Sequence, residues 1–299
     1  ACSGGADSSA LAIALATTCA SIHLGHIVHD MRPVPEAEAD AARVTELASL
    51  LGVPCLTARI RARPDGGNLE AASRRHRYAA LRHLAEENHI PLVATAHHQG
   101  DQAETVLMRL MRGVGSRGIG AIRPMRPLGP VVTLLRPMLT ISRAEAEAIC
   151  RAAHWCWADD PTNADPARLR AALRANVLPL LDELRPGASA AIARSAQILG
   201  EQATAIERAA HAIKAAATRS DDASQWPREL LREQPAVVLG ALLRAEAPGL
   251  SWAECSAIIR ALHDRKRHER VFSLGSVQLR IDASAVRLSS TPHHASCLP

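Results

Sequence analysis

Between residues 22 and 112 short apolar runs alternate with amphipathic stretches, and this alternation is what most restricts the fold. Residues 22–28 and 53–60 and the run at 91–96 have the length and composition of buried strands. Between them lie two helical patterns. One spans 36–51 and is stopped by Gly52; the other runs from an N-cap at Asn68 to about residue 88. A further helix is expected at 101–112. Strands separated by helices cannot pair as hairpins, so they must form a parallel sheet with helical crossovers. The expected fold class is therefore α/β: a doubly wound, mostly parallel sheet, followed by a smaller helical or α+β C-terminal domain. The boundaries read from the sequence are a first, larger domain over 1–185, a long connecting helix over 186–219, and a C-terminal domain over 220–299 with strands near 270–274, 277–282 and 285–288. In open α/β sheets ligands bind beyond the carboxyl ends of the strands, and the chemistry-bearing residues fall there.

The first of these groups is Ser3-Gly4-Gly5-Ala6-Asp7-Ser8, which runs directly into a helix-forming stretch. Two glycines let backbone amides converge on an anion, and the helix N-terminus adds partial positive charge. Ser3 and Ser8 can donate hydroxyls to phosphate oxygens. Asp7 is out of place beside phosphates unless a cation lies between them, which points to Mg²⁺. No Gly-x-x-x-x-Gly-Lys-Ser/Thr occurs, and Lys214 and Lys266 are the only lysines, so this is not a Walker loop. The loop resembles that of the PP-loop ATP pyrophosphatases, which cleave ATP between its α and β phosphates. The resemblance implies an adenine-nucleotide α-hydrolase-like fold, with ATP held by Ser3, Gly4, Gly5, Ala6, Asp7 and Ser8.

A second string narrows the resemblance. His97-His98-Gln99-Gly100-Asp101-Gln102-Ala103-Glu104-Thr105 follows the run at 91–96, and on a helix Asp101, Glu104 and Thr105 share one face. This string, with Arg109 to Gly113, is similar to the signature of the tRNA(Ile)-lysidine synthetase family. So are His29 with Arg32-Pro33, the stretch from Asn68 to Tyr78 that contains Arg74 and Arg77, Arg136-Pro137-Met138-Leu139, and Trp157 to Asn163. The resemblance covers about residues 1–182. It implies ATP-dependent adenylation of a wobble cytidine in a tRNA(Ile) with a CAU anticodon, then attack by L-lysine. Asp7, Asp101, Glu104 and Arg74 would be catalytic, and His29 would join the ATP site. His98, Asp101, Arg112, Arg170 and Arg174 would meet lysine or tRNA, and Asp7 would carry Mg²⁺. Two positions depart from the pattern: Val28 replaces an acid, and Ala171 replaces an asparagine between Arg170 and Arg174.

The remaining features set bounds. Net charge is +5 and nearly all the basic residues are arginine, which suits a phosphate-rich partner. The basic run Arg265-Lys266-Arg267 suits either a solvated loop or a tRNA contact, and base stacking would rely on arginine or on Trp252. Seven scattered cysteines form no Cys-x-x-Cys, which fits reduced thiols in a cytoplasm and argues against a tRNA thiolase on the same fold. An inactive tRNA-binding derivative is the other alternative, and the intact loop speaks against it. No apolar run nears the length of a membrane span, no secretion signal is expected, and a homodimer is compatible with the sequence. The opening residues read as a loop that follows a strand, so the numbering is expected to begin inside a longer protein.

Overall fold

Gly-Gly followed by Ala, Ser and Leu favours a helix that starts immediately, and the first element is α1 (Ala6–Thr18), capped by Gly5. The computed structural model describes residues 1–19, 21–30, 33–61, 69–114, 116–120, 122–158, 169–220, 223–264 and 268–290. Arg32, Asn68, residues 159–168 of the Trp157 segment and the run Arg265–Arg267 therefore lie outside the described residues. The chain divides into two compact units, Ala1–Gly200 and Glu201–Pro299.

The first unit continues with β1 (Leu24–His29), α2 (Val34–Leu51), β2 (Cys55–Ile60), α3 (Leu69–Glu87), β3 (Leu92–Ala94), α4 (Gln99–Leu110), the short α5 (Ser116–Ile119), β4 (Met125–Pro127), β5 (Thr133–Leu135) and α6 (Arg143–Ala152). β1 pairs with β2 and β3 with β5 in parallel; β4 lies antiparallel on β5. Residues 1 and 2 lie between the two parallel pairs. The Cys2 amide donates to Gly25 O at 2.9 Å, and the Ala1 amino group to Ala94 O at 2.7 Å. The loop at 3–8 thus leaves from between the β1-β2 pair and the β3-β5-β4 sheet.

Helices cover both faces. Leu24 of β1 packs with Leu11, Val44, Leu47, Ala146 and Cys150 of α1, α2 and α6. Ile27, on the opposite face of the strand, joins Tyr78, Leu81 and Ala85 of α3. This is the doubly wound, mostly parallel sheet expected, with β4 and β5 added; three-residue strands carry too little periodicity to be read in advance. Leu169–Ala172 (α7), a π-helical turn at Leu173–Val177 and α8 (Leu178–Leu184) form one interrupted helix. Pro179 lacks an amide and crowds the carbonyl one turn back, which accounts for a wide turn just before it.

The long helix α9 (Ala188–Ala215) follows, and the division between the units falls inside it. In the second unit β6 (Thr218–Ser220) and β7 (Ala223–Pro227) precede α10 (Arg228–Arg232), α11 (Ala236–Glu246) and α12 (Trp252–His263); β8 (Arg270–Leu274), β9 (Val277–Ile281) and β10 (Ala285–Ser290) complete an antiparallel sheet of order β6-β7-β10-β9-β8. α10 and α11 are separate helices because Pro235 cannot continue the first and stands at the N-cap of the second. Trp226, Leu239, Leu242, Ile258, Leu279 and Ile281 share the core. Buried Arg228 is satisfied by the carbonyls of Ala261, Leu262, Asp264 and Asp282. Among the described residues no helix is long and apolar enough to cross a membrane.

Candidate active site

The loop is built as an anion cradle. Gly4 turns the chain with φ +86°, a conformation that side chains disfavour. The hydroxyls of Ser3 and Ser8 lie 3.1 Å apart, and Ser8 Oγ also accepts the Ser3 amide at 3.1 Å. The Ala158 amide donates to Gly4 O at 3.0 Å and holds the start of the Trp157 segment against the loop. Asp7 sits in the first turn of α1. Its Oδ2 accepts from Arg143 Nη1 at 2.7 Å, while its Oδ1 is buried without a hydrogen-bond partner.

From Asp7 a chain of polar contacts runs to α4. His98 caps that helix: the Gly100 amide donates to His98 Nδ1 at 2.9 Å and the His98 amide to Asp101 Oδ2 at 3.0 Å. α4 therefore begins two residues earlier than expected, with histidine in a position usually taken by Ser, Thr, Asp or Asn. Residue 100 has to be glycine, since a Cβ there would meet the His98 ring at 2.7 Å. With Nδ1 an acceptor, Nε2 carries the proton, and it lies 3.8 Å from both Asp7 Oδ2 and Asp101 Oδ2. His98 thus stands between the loop carboxylate and the helix carboxylate.

Asp101 and Glu104 meet Arg170 and Arg174. Arg170 Nη2 donates to Asp101 Oδ1 at 2.7 Å and its Nε to Glu104 Oε2 at 2.6 Å. Arg174 reaches Glu104 Oε1 at 2.6 Å, Glu104 Oε2 at 3.1 Å and Asp101 Oδ1 at 3.4 Å. The Glu104 side chain is only 1% exposed, against 27% for Arg170 and 44% for Arg174. Burial would raise the Asp101 carboxyl, but the neighbouring His98 and Arg170 and the His98 amide outweigh it and hold the group below the usual carboxylate range. The hydroxyl of Thr105 bonds back to Asp101 O at 2.7 Å and does not join the cluster.

Arg74 approaches from α3. Its Nη2 donates to His97 Nε2 at 3.1 Å and to the Tyr78 hydroxyl at 3.2 Å, and His97 Nδ1 lies 3.0 Å from Thr95 Oγ1. A donor on Nε2 requires that nitrogen to be unprotonated. Burial first, with Arg74, Arg136 and Arg170 adding to it against Asp101, lowers His97 to about 3, so the ring is neutral and its Nδ1–H faces Thr95.

Ser3, Gly4, Gly5, Ala6, Asp7 and Ser8 are thus joined through His98 to Asp101, Glu104, Arg170 and Arg174. His29 is the last residue of β1, at the carboxyl end of that strand. Arg112 is not brought in: it lies exposed in the turn after α4, eleven residues from Asp101, or roughly 16 Å along a helix axis. Arg143 was missed in the sequence, where Ser142-Arg143-Ala144-Glu145 reads only as a capping box. The box forms, with Ser142 bonded to Glu145. The available signal was a guanidinium in the first turn of a helix, where the dipole opposes it and a nearby anion must compensate.

An anion-binding loop between two parallel strand pairs, opening a helix without a Walker lysine, defines a nucleotide-binding α/β domain of the PP-loop class. The chain belongs to the PP-loop family, whose domain matches residues 1–181. Within it the chain is similar to the tRNA(Ile)-lysidine synthase of Bordetella parapertussis, with 40% identity over 218 residues, 70% of this chain and 62% of that protein. It is also similar to that of Xanthomonas campestris, with 41% identity covering 68% of this chain and 46% of the relative. For Thermus thermophilus the figures are 41%, 70% and 40%. The matched stretch thus spans about half the length of these curated relatives. A U34-tRNA thiolase, NcsA, from Methanococcus maripaludis shares the fold, with a TM-score of 0.52 at 18% identity over 67% of this chain and 70% of that one.

Proposed function

We propose that the chain joins L-lysine to carbon 2 of the wobble cytidine of a tRNA(Ile) with a CAU anticodon, forming lysidine and releasing AMP and pyrophosphate. The observation that carries this reading is the continuous line of polar groups from Asp7 through the His98 imidazole to Asp101, Glu104, Arg170 and Arg174. It puts an anion cradle next to a cluster suited to an amino acid. The cytidine O2 attacks the α-phosphorus and pyrophosphate leaves. The lysine ε-amine then attacks carbon 2, AMP departs, and the amine gives up a proton.

In this reading Ser3, Gly4, Gly5 and Ser8 hold the phosphates and His29 borders the nucleotide. The buried, unpartnered Asp7 Oδ1 fits a hard cation. Among the described residues no three His, Cys, Asp or Glu side chains are grouped to hold a metal. One carboxylate plus substrate phosphates is a customary Mg²⁺ environment. When bound there, Mg²⁺ would neutralise charge on the leaving pyrophosphate. Asp101 and Glu104 are already engaged by arginines, and Asp101 is held anionic, so neither is a ready proton acceptor. The four groups instead form a cluster of balanced charge, complementary to the ammonium and carboxylate of a zwitterionic amino acid. The neutral His97 lies beside it, its Nε2 accepting from Arg74 and its Nδ1 facing Thr95, and so fixes the Arg74 guanidinium at the edge of the cluster. The C-terminal unit is assigned to tRNA binding.

Incubation with ATP, labelled lysine and tRNA transcripts tests the reading. Label incorporated only into the CAU transcript, with one AMP formed per lysine, is expected. ADP and phosphate as main products, or no lysine transfer, would overturn it.

A further inference from the structure

Beside the site, α3 and β4 line a groove of about 490 Å³ formed by Arg74, Arg75, Tyr78, Ala79, Arg82, Arg126 and Leu128. None of the lining residues is acidic. The Arg126 guanidinium stacks on the Tyr78 ring at 4.9 Å and that of Arg74 at 5.3 Å. Arg82 has a carboxylate neighbour in Glu86, at 3.7 Å, and that pair is partly in water. Burial would raise the Tyr78 phenol, but Arg74, Arg136 and Arg77 outweigh this and lower it, which independently reports a positive field at the ring.

We propose that this groove binds the phosphodiester backbone of RNA next to the nucleotide that enters the active site. The assignment deepens the proposed function and rests on it for the identity of the RNA. Four guanidiniums facing one groove without a lining carboxylate repel one another until an anion enters, and guanidinium is the group best matched to phosphate. Arg75 and Arg82 stand two turns apart on α3, roughly 10 Å, too far for the oxygens of a single phosphate but suited to successive ones. Arg126 and Arg74 stack on the Tyr78 ring, so the floor is aromatic and cationic together, as single-stranded nucleic acid requires. Arg74 lines the groove and also bonds to His97, so one side chain is shared by the groove and the site.

The test compares the full chain with an Arg75→Ala/Arg82→Ala/Arg126→Ala variant in equilibrium binding of labelled tRNA, across a series of salt concentrations. Loss of three phosphate contacts flattens the log–log salt slope by about 2–3, at roughly 0.7–0.9 per contact, and weakens binding at least tenfold at low salt. The corresponding triple lysine variant keeps most of the slope, because charge is retained. Arg75→Ala/Arg82→Ala alters only exposed side chains and leaves Arg126 on Tyr78. It should melt like the parent and lose about half the effect. An unchanged slope in both alanine variants overturns the proposal. So does a lysine variant as weak as alanine, or an unchanged RNA slope with loss of polyglutamate binding, which would reassign the groove to an acidic peptide. A parent chain that binds RNA through the groove yet transfers no lysine refutes the proposed function and leaves the groove standing. Lysine transfer with unaltered salt slopes does the reverse.

Discussion

Replacing Glu104 by Gln tests whether the charge cluster anchors the first unit. The change keeps the side-chain volume, so no cavity opens, but removes the charge and turns an amide donor toward a guanidinium donor. Three hydrogen bonds of 2.6, 2.6 and 3.1 Å end on Glu104. A hydrogen bond to a charged group is worth about 1.5–3 kcal/mol, so the full loss would be several kcal/mol. Two facts reduce it. Arg174 is 44% exposed and water replaces its lost partner, and Arg170 keeps Asp101 at 2.7 Å. The expected cost is about 2–3 kcal/mol, or roughly a 5–10 °C fall in melting temperature for a unit of this size. Arg174→Ala should cost about 1 kcal/mol or less, because Glu104 retains Arg170 and the lost guanidinium is half in water. Urea denaturation followed by circular dichroism measures both. A cost below about 0.5 kcal/mol for Glu104→Gln, the range of ordinary surface changes, or an Arg174→Ala as damaging as Glu104→Gln, would show that the cluster does not anchor the unit.

Asp7→Ala should abolish ATP-dependent pyrophosphate release while leaving tRNA affinity within a few fold, since affinity comes from distributed basic contacts; filter binding alongside pyrophosphate assay checks this. His97, neutral in the folded chain at about 3 against an ordinary 6.5, makes the unfolded chain the greater proton binder between those values. Stability should therefore fall as pH drops below about 6.5, and His97→Asn should remove close to one proton of uptake on unfolding at pH 5, read by comparing denaturation midpoints across pH. Asp101 acts lower: its depressed carboxyl contributes stability above about pH 3.9 that is lost as pH falls through its folded value. Arg228→Met should destabilise the C-terminal unit by about 2–4 kcal/mol, because buried carbonyls lose charged donors; a neutral result in urea denaturation would mean that water replaces them.

The α/β class and the loop were legible because both depend on local signals: periodicity, Gly4-Gly5 and a helix start. The string from His97 to Glu104 was legible as chemistry, but its use was not. Asp101 and Glu104 read as free carboxylates in sequence, and what engages them comes from residues 66 to 73 positions away on an interrupted helix. Arg143 reaches Asp7 across 136 positions, a pairing no local pattern encodes. The strands at 125–127, 133–135, 218–220 and 223–227 escaped for a different reason: each is short or polar, and tertiary pairing rather than propensity makes it a strand.

Tyr78 has a consequence of another kind. It is the chain's only tyrosine, buried under guanidinium groups that set its ionisation. Any tyrosinate absorbance in this protein therefore arises from a single, known place. The molecule carries a built-in optical gauge of electric potential at the mouth of its site. A polyanion settling over those arginines would cancel part of their field and be seen as a drift of the phenol back toward its ordinary ionisation, with no label attached and no residue replaced.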